Sequence, residues 1–231
     1  MNRTLDVTTS VLSTLARGGT GSRVGAAAVR PPQLLELYEF EACPFCRKVR
    51  EALTILDLDA MIHPCPKGGP GFREEVRKRG GRAMFPYLVD PNTGTEMYES
   101  DDIVAHLFRE YGDGRVPFAL SLGPLTIATA SLASAFRPLS GLRYRESEPP
   151  ELPLELYSYE ASPFSRLARE CLSSLELRYR LHNVARGSAG RDAFVERSGR
   201  MMVPFLVDPN TGVEMFESAD IVRYLEDTYA R

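Results

Sequence analysis

Two cysteines separated by two residues, Cys43 and Cys46 in the run EACPFCRK, are the residues best suited to chemistry in this sequence. A thiol at the amino end of a helix faces unpaired backbone N–H groups and the positive end of the helix dipole, so its pKa falls and its thiolate is favoured. Pro44 suits the first helical position, and Arg47 and Lys48 add positive charge nearby. We therefore predict that Cys43 is a nucleophile and that Cys46, one turn later, attacks a mixed disulfide on Cys43. This hypothesis requires a Cys43 sulfur that is ionised and open to solvent.

A metal site is the first alternative for these thiols. His63 and Cys65 follow the pair, and four such soft ligands could in principle hold zinc. The histidine recurs, however, as His182 in a later segment that has no sulfur at the matching positions. A structural role at a strand end explains both histidines, so we expect no metal.

The segment around CPFC is repeated later in the chain, where serines replace both cysteines. Residues 34–53, LLELYEFEACPFCRKVREAL, align with residues 153–172, PLELYSYEASPFSRLARECL, and residues 85–107 align with residues 203–225. Each unit spans about 75 to 80 residues, which is a normal size for a small domain. An internal repeat of this length predicts a duplicated domain.

Each unit has hydrophobic periodicities and turn signals that predict the order βαβ-α-ββα. In the first unit the elements are expected as a strand near Leu35–Phe40, a helix from Pro44, a strand at Ala60–His63, a helix near 72–79, strands at Pro86–Val89 and Glu96–Tyr98, and a helix capped by Ser100 that ends near Tyr111. The CPFC run therefore falls at the first strand-to-helix junction.

This order resembles the thioredoxin superfamily, and three features narrow the resemblance: the CPFC run, the Phe85-Pro86 dipeptide that opens the third strand, and the Glu99-Ser100 pair after the fourth strand. Together they are similar to the N-terminal domain of glutathione S-transferases, a close relative of glutaredoxin. The resemblance covers roughly two thirds of the chain as two copies. It implies an α/β fold with two thioredoxin-like βαβ-α-ββα domains in tandem, joined by a helical connector. A second unit stands where a transferase would have its all-helical C-terminal domain.

The chain is accordingly divided into four parts. Residues 1–33 are predicted to form an N-terminal helix and tether, 34–112 the first, redox-competent domain, 113–152 a helical connector and linker, and 153–231 the second, redox-inactive domain. The N-terminal helix is expected to be amphipathic through Leu5, Val11, Leu12 and Leu15. The uncharged stretch from Val116 to Phe136 has the length of a membrane span, but it is rich in Ser, Thr, Gly and Pro. We expect a helix from about Pro124 that packs between the domains, and no membrane span.

The resemblance also implies a glutathione site in the first domain. Phe85, which precedes a cis Pro86, is expected to offer its backbone to the cysteinyl part of glutathione. Glu99 and Ser100 are expected to hold the γ-glutamyl end. The physical basis is that free N–H groups at a helix start and a hydroxyl receive a carboxylate, while a carboxylate side chain receives an ammonium group.

The second domain retains the X-Pro dipeptide and the Glu-Ser pair of such a site but has serines in place of the cysteines. Its possible site consists of Ser162, Val203, Pro204, Glu217 and Ser218. By the same resemblance, the Ser162 hydroxyl could donate a hydrogen bond to a glutathione thiolate and lower its pKa. The alternative is a degenerate scaffold that shapes the first site. We favour the scaffold because the helical domain that normally binds the electrophile is absent.

Composition narrows the function further. A net charge of -3 in 231 residues gives no electrostatic footprint for nucleic acid. Four cysteines, two of them in CxxC, are too few for a disulfide scaffold of this size and favour a reducing, cytoplasmic setting over organellar import.

The sequence predicts a glutathione-dependent thiol–disulfide oxidoreductase that uses glutathione as cosubstrate and acts on disulfides. The alternatives are a glutathione transferase or isomerase acting on electrophiles, and a non-catalytic glutathione-binding adaptor. Because the tandem supplies an internal pseudo-dimer, a monomer is expected.

Overall fold

The computed structural model describes residues 3–25, 29–121, 123–135, 137 and 140–231. Helix α1 (Arg3–Leu15) precedes the first unit, and α5 (Phe118–Ser121) and α6 (Pro124–Ala135) lie between the units. The first unit contains β1 (Leu35–Glu39), α2 (Pro44–Ile55), β2 (Ala60–Pro64), α3 (Phe72–Gly80), β3 (Tyr87–Asp90), β4 (Thr95–Met97) and α4 (Ser100–Tyr111). The second unit contains β5 (Leu154–Ser158), α7 (Pro163–Ser174), β6 (Tyr179–Asn183), α8 (Arg191–Ser198), β7 (Phe205–Asp208), β8 (Val213–Phe216) and α9 (Ser218–Tyr229).

The predicted α/β order βαβ-α-ββα is confirmed in both units, and so is a helix that begins at Pro124. One detail was wrong: Ser100 is the first residue of α4, and Glu99 stands at the N-cap position without a side-chain hydrogen bond to the helix. Residues 26–28 of the predicted tether and Phe136 of the connector lie outside the described residues. Of the helices described, none is both long enough and apolar enough to cross a membrane.

All eight strands of the described chain form one sheet, in the order β4-β3-β1-β2-β6-β5-β7-β8. Within each unit the first two strands are parallel, and the other two run antiparallel to their neighbours. The units join where β2 pairs antiparallel with β6, through Ala60 with Leu181 and Ile62 with Tyr179. Because Tyr179 is the counterpart of Ala60 and Leu181 that of Ile62, the pairing is self-complementary, as in a two-fold dimer. The two units therefore form an internal pseudo-dimer within one chain.

The helices that carry the predicted site pack in pairs. Helix α2 packs against α4, and α7 packs against α9. Their inward faces share one hydrophobic core with the sheet, in which Leu37, Leu53 and Ile103 of the first unit and Leu156 and Leu172 of the second are fully buried. The amino ends of α2 and α7 are thereby fixed relative to the sheet.

Helices α1 and α6 are exchanged between the units. Helix α1, which precedes the first unit, packs on α7 of the second, while α6, which precedes the second unit, packs on α2 of the first. The two helices also contact each other. Together they form a layer above the amino-terminal halves of α2 and α7.

Helix α1 is present as predicted, but its apolar side does not face the protein. Leu5 and Leu15 are 63% and 67% exposed, whereas Ser10 and Ser13 are fully buried. Beneath α1 lie two guanidinium groups: Arg47 donates to the backbone and hydroxyl oxygens of Ser13, and Arg166 donates to those of Ser10. Buried guanidinium groups must be hydrogen-bonded, so the polar side of this helix is the side that packs.

The two exchanged helices are also counterparts in sequence. At an offset of 120 residues Leu12 matches Leu132 and Arg17 matches Arg137. The contacts match as well. Arg17 joins Glu51 of α2 to the Thr126 carbonyl of α6, and Arg137 joins Glu170 of α7 to the Asp6 carbonyl of α1. The repeated structure therefore begins one helix earlier than the repeat found in the sequence.

Candidate functional site

Cys43 caps the amino end of α2, directly after β1. Its backbone is extended, with φ -75° and ψ 120°, and Pro44 is the first helical residue. The Cys43 sulfur accepts the backbone N–H of Cys46 at 3.3 Å. This is the arrangement that stabilises a thiolate at a helix start.

The two thiols of the pair have opposite electrostatic environments. A hydrogen bond from the Cys46 thiol lowers the pKa of Cys43, although burial opposes the shift. Burial raises the pKa of Cys46 well above its usual range, and donation to Cys43 adds to that shift. All four cysteines are free thiols. Of the two thiols, Cys43 is therefore the one that loses its proton more readily.

The thiol hypothesis requires a Cys43 sulfur that is open to solvent, and this conformation does not provide one. Cys43 is 4% exposed and Cys46 is fully buried. Helix α6 packs against α2, the helix that Cys43 caps, and its Ala130 is fully buried. In this conformation the Cys43 sulfur is closed to a disulfide substrate.

The two cations expected to favour the thiolate are engaged elsewhere. Arg47 is bound to Ser13 and lies 3.7 Å from Glu160, and Lys48, itself fully buried, forms an ion pair with the exposed Asp101. Lys48 thus ties α2 to the first turn of α4. The lowered pKa of Cys43 therefore comes mainly from the hydrogen bond of Cys46 and from the helix start.

The residues predicted to bind glutathione lie at the same edge of the sheet as Cys43. Tyr38 pairs with Tyr87 and Leu88 with Met97, so the end of β1, the start of β3 and the end of β4 lie side by side. Cys43 follows β1, and Pro86 precedes β3. The Phe85–Pro86 bond is cis, as the sequence predicts.

Glu99 and Ser100 complete this edge at the start of α4. Glu99 has a positive φ of 65°, a conformation uncommon for a residue with a side chain, and its side chain is exposed. Ser100 is buried. Phe85 packs edge-on against Phe40 at 6.1 Å, and the Arg73 guanidinium lies 4.7 Å above the Phe85 ring. The arrangement leaves a helix start, an exposed carboxylate and a cis-proline turn at the edge of the sheet where α2 begins after Cys43.

The second unit repeats this geometry with hydroxyl groups. Ser162 accepts the Ser165 N–H at 3.2 Å, the Val203–Pro204 bond is cis, and Glu217 has a φ of 67° before the buried Ser218. Ser162 is 2% exposed, and hydroxyls of α1 donate to the carbonyls on either side of it, Thr14 to Ala161 and Ser10 to Pro163. Both halves of the pseudo-dimer thus have a covered helix start.

A buried carboxylate beneath the thiol pair was missed by the sequence reasoning. Glu39, the last residue of β1, is 2% exposed and bonded to Arg50 of α2. Arg50 also reaches Glu41 and Glu160, and Arg169 of the second unit reaches the same two carboxylates. Burial, together with the charges of Glu41 and Glu160, raises the pKa of Glu39 to about 7 although the charge of Arg50 lowers it. The recurrence of Glu41 as Glu160 and of Arg50 as Arg169 was the available sequence signal.

The His63 ring stacks on Tyr38 at a centroid distance of 4.3 Å, and its Nε2 lies 3.2 Å from Glu36. His182 stacks on Tyr157 in the same way, at 4.2 Å. The Cys65 thiol donates to the His63 carbonyl. Within the part of the chain that the structure describes, no cluster of three or more His, Cys, Asp or Glu side chains could hold a metal ion.

Comparisons with known proteins found a matching family and a similar solved structure. A family profile described as "Glutathione S-transferase, N-terminal domain" matches residues 37–115 and again 156–231. Among solved structures, a Leishmania protein, TDR1, titled a unique trimeric glutathione transferase, is 15% identical, with 86% of this chain and 68% of that chain covered and a TM-score of 0.29. Overlap at that level carries no argument about function. No curated protein sequence matches.

Proposed function

The chain belongs to the glutathione S-transferase N-terminal domain family, and from that premise we propose that it is a glutathione-dependent thiol–disulfide oxidoreductase. Cys43 is the nucleophile and Cys46 the resolving thiol. The observation that carries the proposal is the hydrogen bonding at the start of α2. There the Cys43 sulfur accepts from Cys46, which lowers the pKa of Cys43 and raises that of Cys46.

The reaction follows from these two thiol environments. The Cys43 thiolate attacks one sulfur of a disulfide, forms a mixed disulfide and releases the other sulfur as a thiolate. Cys46 then attacks the Cys43 sulfur, which releases the second substrate thiol and forms the Cys43–Cys46 disulfide; two glutathione molecules reduce this disulfide to the dithiol and leave as oxidised glutathione. Where glutathione instead attacks the Cys43 sulfur, it releases the substrate thiol and forms a glutathione–Cys43 disulfide, and a second glutathione frees Cys43 and leaves as oxidised glutathione.

Glutathione binds at the edge formed by Phe85, Pro86, Glu99 and Ser100. The N–H groups at the start of α4 and the Ser100 hydroxyl suit its γ-glutamyl carboxylate, and the exposed Glu99 carboxylate suits its ammonium group. The backbone of Phe85, which precedes the cis Pro86, is proposed to pair with the cysteinyl part. Bound in this way, the tripeptide thiol points toward Cys43.

Catalysis requires an open conformation in which α6 leaves the start of α2. Helix α1, the counterpart of α6, covers Ser162: its hydroxyl groups donate hydrogen bonds to the carbonyls on either side of that residue. We infer that α6, which packs on α2, covers Cys43 in the same manner. Arg17 is the principal tie, because its guanidinium bonds the Thr126 carbonyl at 3.3 Å and the Thr129 hydroxyl at 2.6 Å. The reducing cytoplasm, where glutathione is abundant, is the proposed setting, and the protein acts as a monomer.

The second unit is a scaffold in this proposal. A glutathione transferase or isomerase is the second candidate, favoured by one observation: Ser162 accepts the Ser165 N–H and keeps its own proton to donate to a glutathione thiolate.

Disulfide reduction by glutathione, measured on the full chain, tests the proposal. Cys43→Ser should abolish the activity, Cys46→Ser should lower it without abolishing glutathione-driven turnover, and Ser162→Ala, the matched change in the second unit, should leave it unchanged. Conjugation activity that is lost in Ser162→Ala alone would support the transferase instead. Binding of glutathione without either activity would overturn both and leave an adaptor.

A further inference from the structure

The second unit has a cavity in the groove between its helices α7 and α9. Its volume is about 370 Å³, which lies within the range of small-molecule sites. Asp6 of α1 and residues 140, 141 and 145 of the linker form part of its wall. Protein interiors contain few voids larger than a water molecule, so a space of this size needs an explanation. Six residues of the two helices that line it are Leu167, Cys171, Ser174, Ala219, Val222 and Glu226.

The first unit shows how the same groove is filled when it is closed. Leu167 and Ala219 are the counterparts of Lys48 and Asp101. Lys48 and Asp101 form an ion pair across the groove between α2 and α4, and the Lys48 side chain is fully buried. In the second unit this pair is replaced by two shorter, apolar side chains.

The part of the groove farther along the helices shows the same loss. Ser174 and Glu226 are the counterparts of Ile55 and Phe108. Phe108 is 1% exposed and lies in the hydrophobic core together with Leu120 of α5. The second unit thus has the smaller side chain at these two positions as well, and the space that its twin fills with its own residues is left as a cavity.

The middle of the cavity wall is apolar. Leu167 and Cys171 of α7 face Val222 of α9 across it. Cys171 is 7% exposed, and burial raises the pKa of its thiol to about 12, so the group is neutral at physiological pH. Apolar cavities hold water poorly and take up apolar molecules.

The charged residues that line the cavity are already paired with one another. Arg137 donates to both carboxylate oxygens of Glu170, at 2.5 and 2.6 Å, and lies 3.3 Å from the Asp6 carboxylate. Arg145 donates to Glu226 at 2.6 Å. A charged ligand has to break one of these pairs or enter without a partner, and both are costly. An uncharged ligand leaves every pair intact.

We propose that the groove between α7 and α9 binds a small, uncharged, apolar molecule. Arg145 and Glu226 are 51% and 41% exposed, so their ion pair marks the mouth of the cavity. Of the possible glutathione site of the second unit, Ser218 borders the cavity, whereas Ser162 and Pro204 are not among the described residues that line it. The inference needs neither glutathione nor Cys43. It gives the second unit, a scaffold in the proposed reaction, a binding role of its own.

The test uses two fluorescent probes that differ by one charge. N-phenyl-1-naphthylamine is uncharged, and anilinonaphthalene sulfonate has the same rings with an added sulfonate. Titrated into the full chain, the uncharged probe should bind saturably, at one molecule per chain, and at least tenfold more tightly than the sulfonate. Equal or tighter binding of the sulfonate would overturn the assignment of an uncharged ligand, and no saturable binding of either probe would overturn the site.

Variants that fill the cavity locate the bound probe. The double variant Leu167→Lys with Ala219→Asp restores the ion pair of the first unit and should weaken binding of the uncharged probe at least tenfold. Val222→Phe fills the same space from α9 and decides the matter if the double variant does not melt cooperatively. Leu15→Ser, on the exposed apolar side of α1, is the control and should change nothing.

Two further outcomes contradict the inference. Full affinity in cooperatively melting filled variants would place the probe elsewhere, and a loss of binding in Leu15→Ser would assign it to the exposed side of α1. Because the readout involves no thiol chemistry, failure of the chain to reduce disulfides overturns the proposed function and leaves this inference standing.

Discussion

Arg169 of the second unit donates to Glu41 of the first through Nε and Nη2, at 3.0 and 3.1 Å. The equivalent bond in the other direction joins Arg50 to Glu160 at 2.8 Å. All four side chains are about 2% exposed. The two units are therefore joined by a reciprocal pair of buried ion pairs in addition to the β2–β6 ladder.

Loss of one partner should destabilise the whole chain. Arg169→Leu leaves Glu41 buried with a weaker set of donors, and breaking a buried pair in this way costs about 3–5 kcal/mol. We expect a decrease of that order in the free energy of unfolding, measured by urea denaturation. Arg197→Ala, which removes the exposed pair with Glu214, is the control and should change it by less than about 1 kcal/mol. Equal effects of the two changes would mean that the buried pairs contribute no more than surface pairs.

Release of α6 should expose Cys43. Arg17→Ala removes the bonds from Arg17 to the Thr126 carbonyl and the Thr129 hydroxyl, and with them the tie between α6 and Glu51 of α2. We expect alkylation of Cys43 by iodoacetamide to be slow in the wild type and about tenfold faster in this variant, a change that corresponds to about 1.4 kcal/mol in the opening equilibrium. Peptide mass spectrometry assigns the alkylated thiol.

The chain offers a matched control for that experiment. Arg137 makes the equivalent bonds from α7 to α1, to the Asp6 carbonyl at 2.8 Å and to the Thr9 hydroxyl at 2.7 Å. Arg137→Ala should loosen the cover over Ser162 and leave the alkylation rate of Cys43 unchanged. If both substitutions accelerate the reaction equally, the cover is not specific to α6, and a general loosening of the fold is the cause.

The low pKa of Cys43 should depend on the thiol of Cys46. Donation from that thiol is the largest cause of the shift, so Cys46→Ala should raise the pKa of Cys43, whereas Cys46→Ser keeps a donor and should raise it less. The ultraviolet absorbance of the thiolate, followed against pH, measures both. Because folding lowers the pKa of Cys43, its thiolate stabilises the folded wild type at pH values above the unfolded-state pKa. This contribution to the free energy of unfolding is lost as the pH falls through the folded-state pKa. The alanine variant should lose part of that gain; identical titrations of the three proteins would contradict the assignment.

The order of elements and the position of the thiols could be predicted from sequence because the signals are local. The CPFC run and its counterpart SPFS, the X-Pro dipeptide and the Glu-Ser pair follow one another in the same order in both units, and alternation and helical spacing lie within single elements. Phe85 and Pro86 could be placed at the edge next to Cys43 because strands that pair antiparallel bring those ends together. The sequence could predict those parts of the site whose position depends only on residues nearby in the chain.

The remaining features depend on partners distant in sequence. Nothing local specifies that β2 and β6 share an edge, since the pairing uses the match between two whole units. Helical spacing predicted α1, yet its apolar side faces outward because the surface beneath it presents Arg47 and Arg166, which need oxygen acceptors. The exchange of α1 and α6 was hidden because the two helices share few identical residues.

Glutathione binding should depend on Ser100 and not on its counterpart Ser218. A hydrogen bond to a charged group contributes about 1.5–3 kcal/mol, so Ser100→Ala should weaken binding of glutathione about tenfold or more, measured by isothermal titration calorimetry on the full chain. Ser218 occupies the same position at the start of α9, with the same preceding residue and the same positive φ, so Ser218→Ala is the matched control. If the second unit is only a scaffold, that variant binds as the wild type does and the stoichiometry is one glutathione per chain. A loss in Ser218→Ala alone would assign the ligand to the second unit, and wild-type binding in both variants would mean that neither helix start holds the carboxylate.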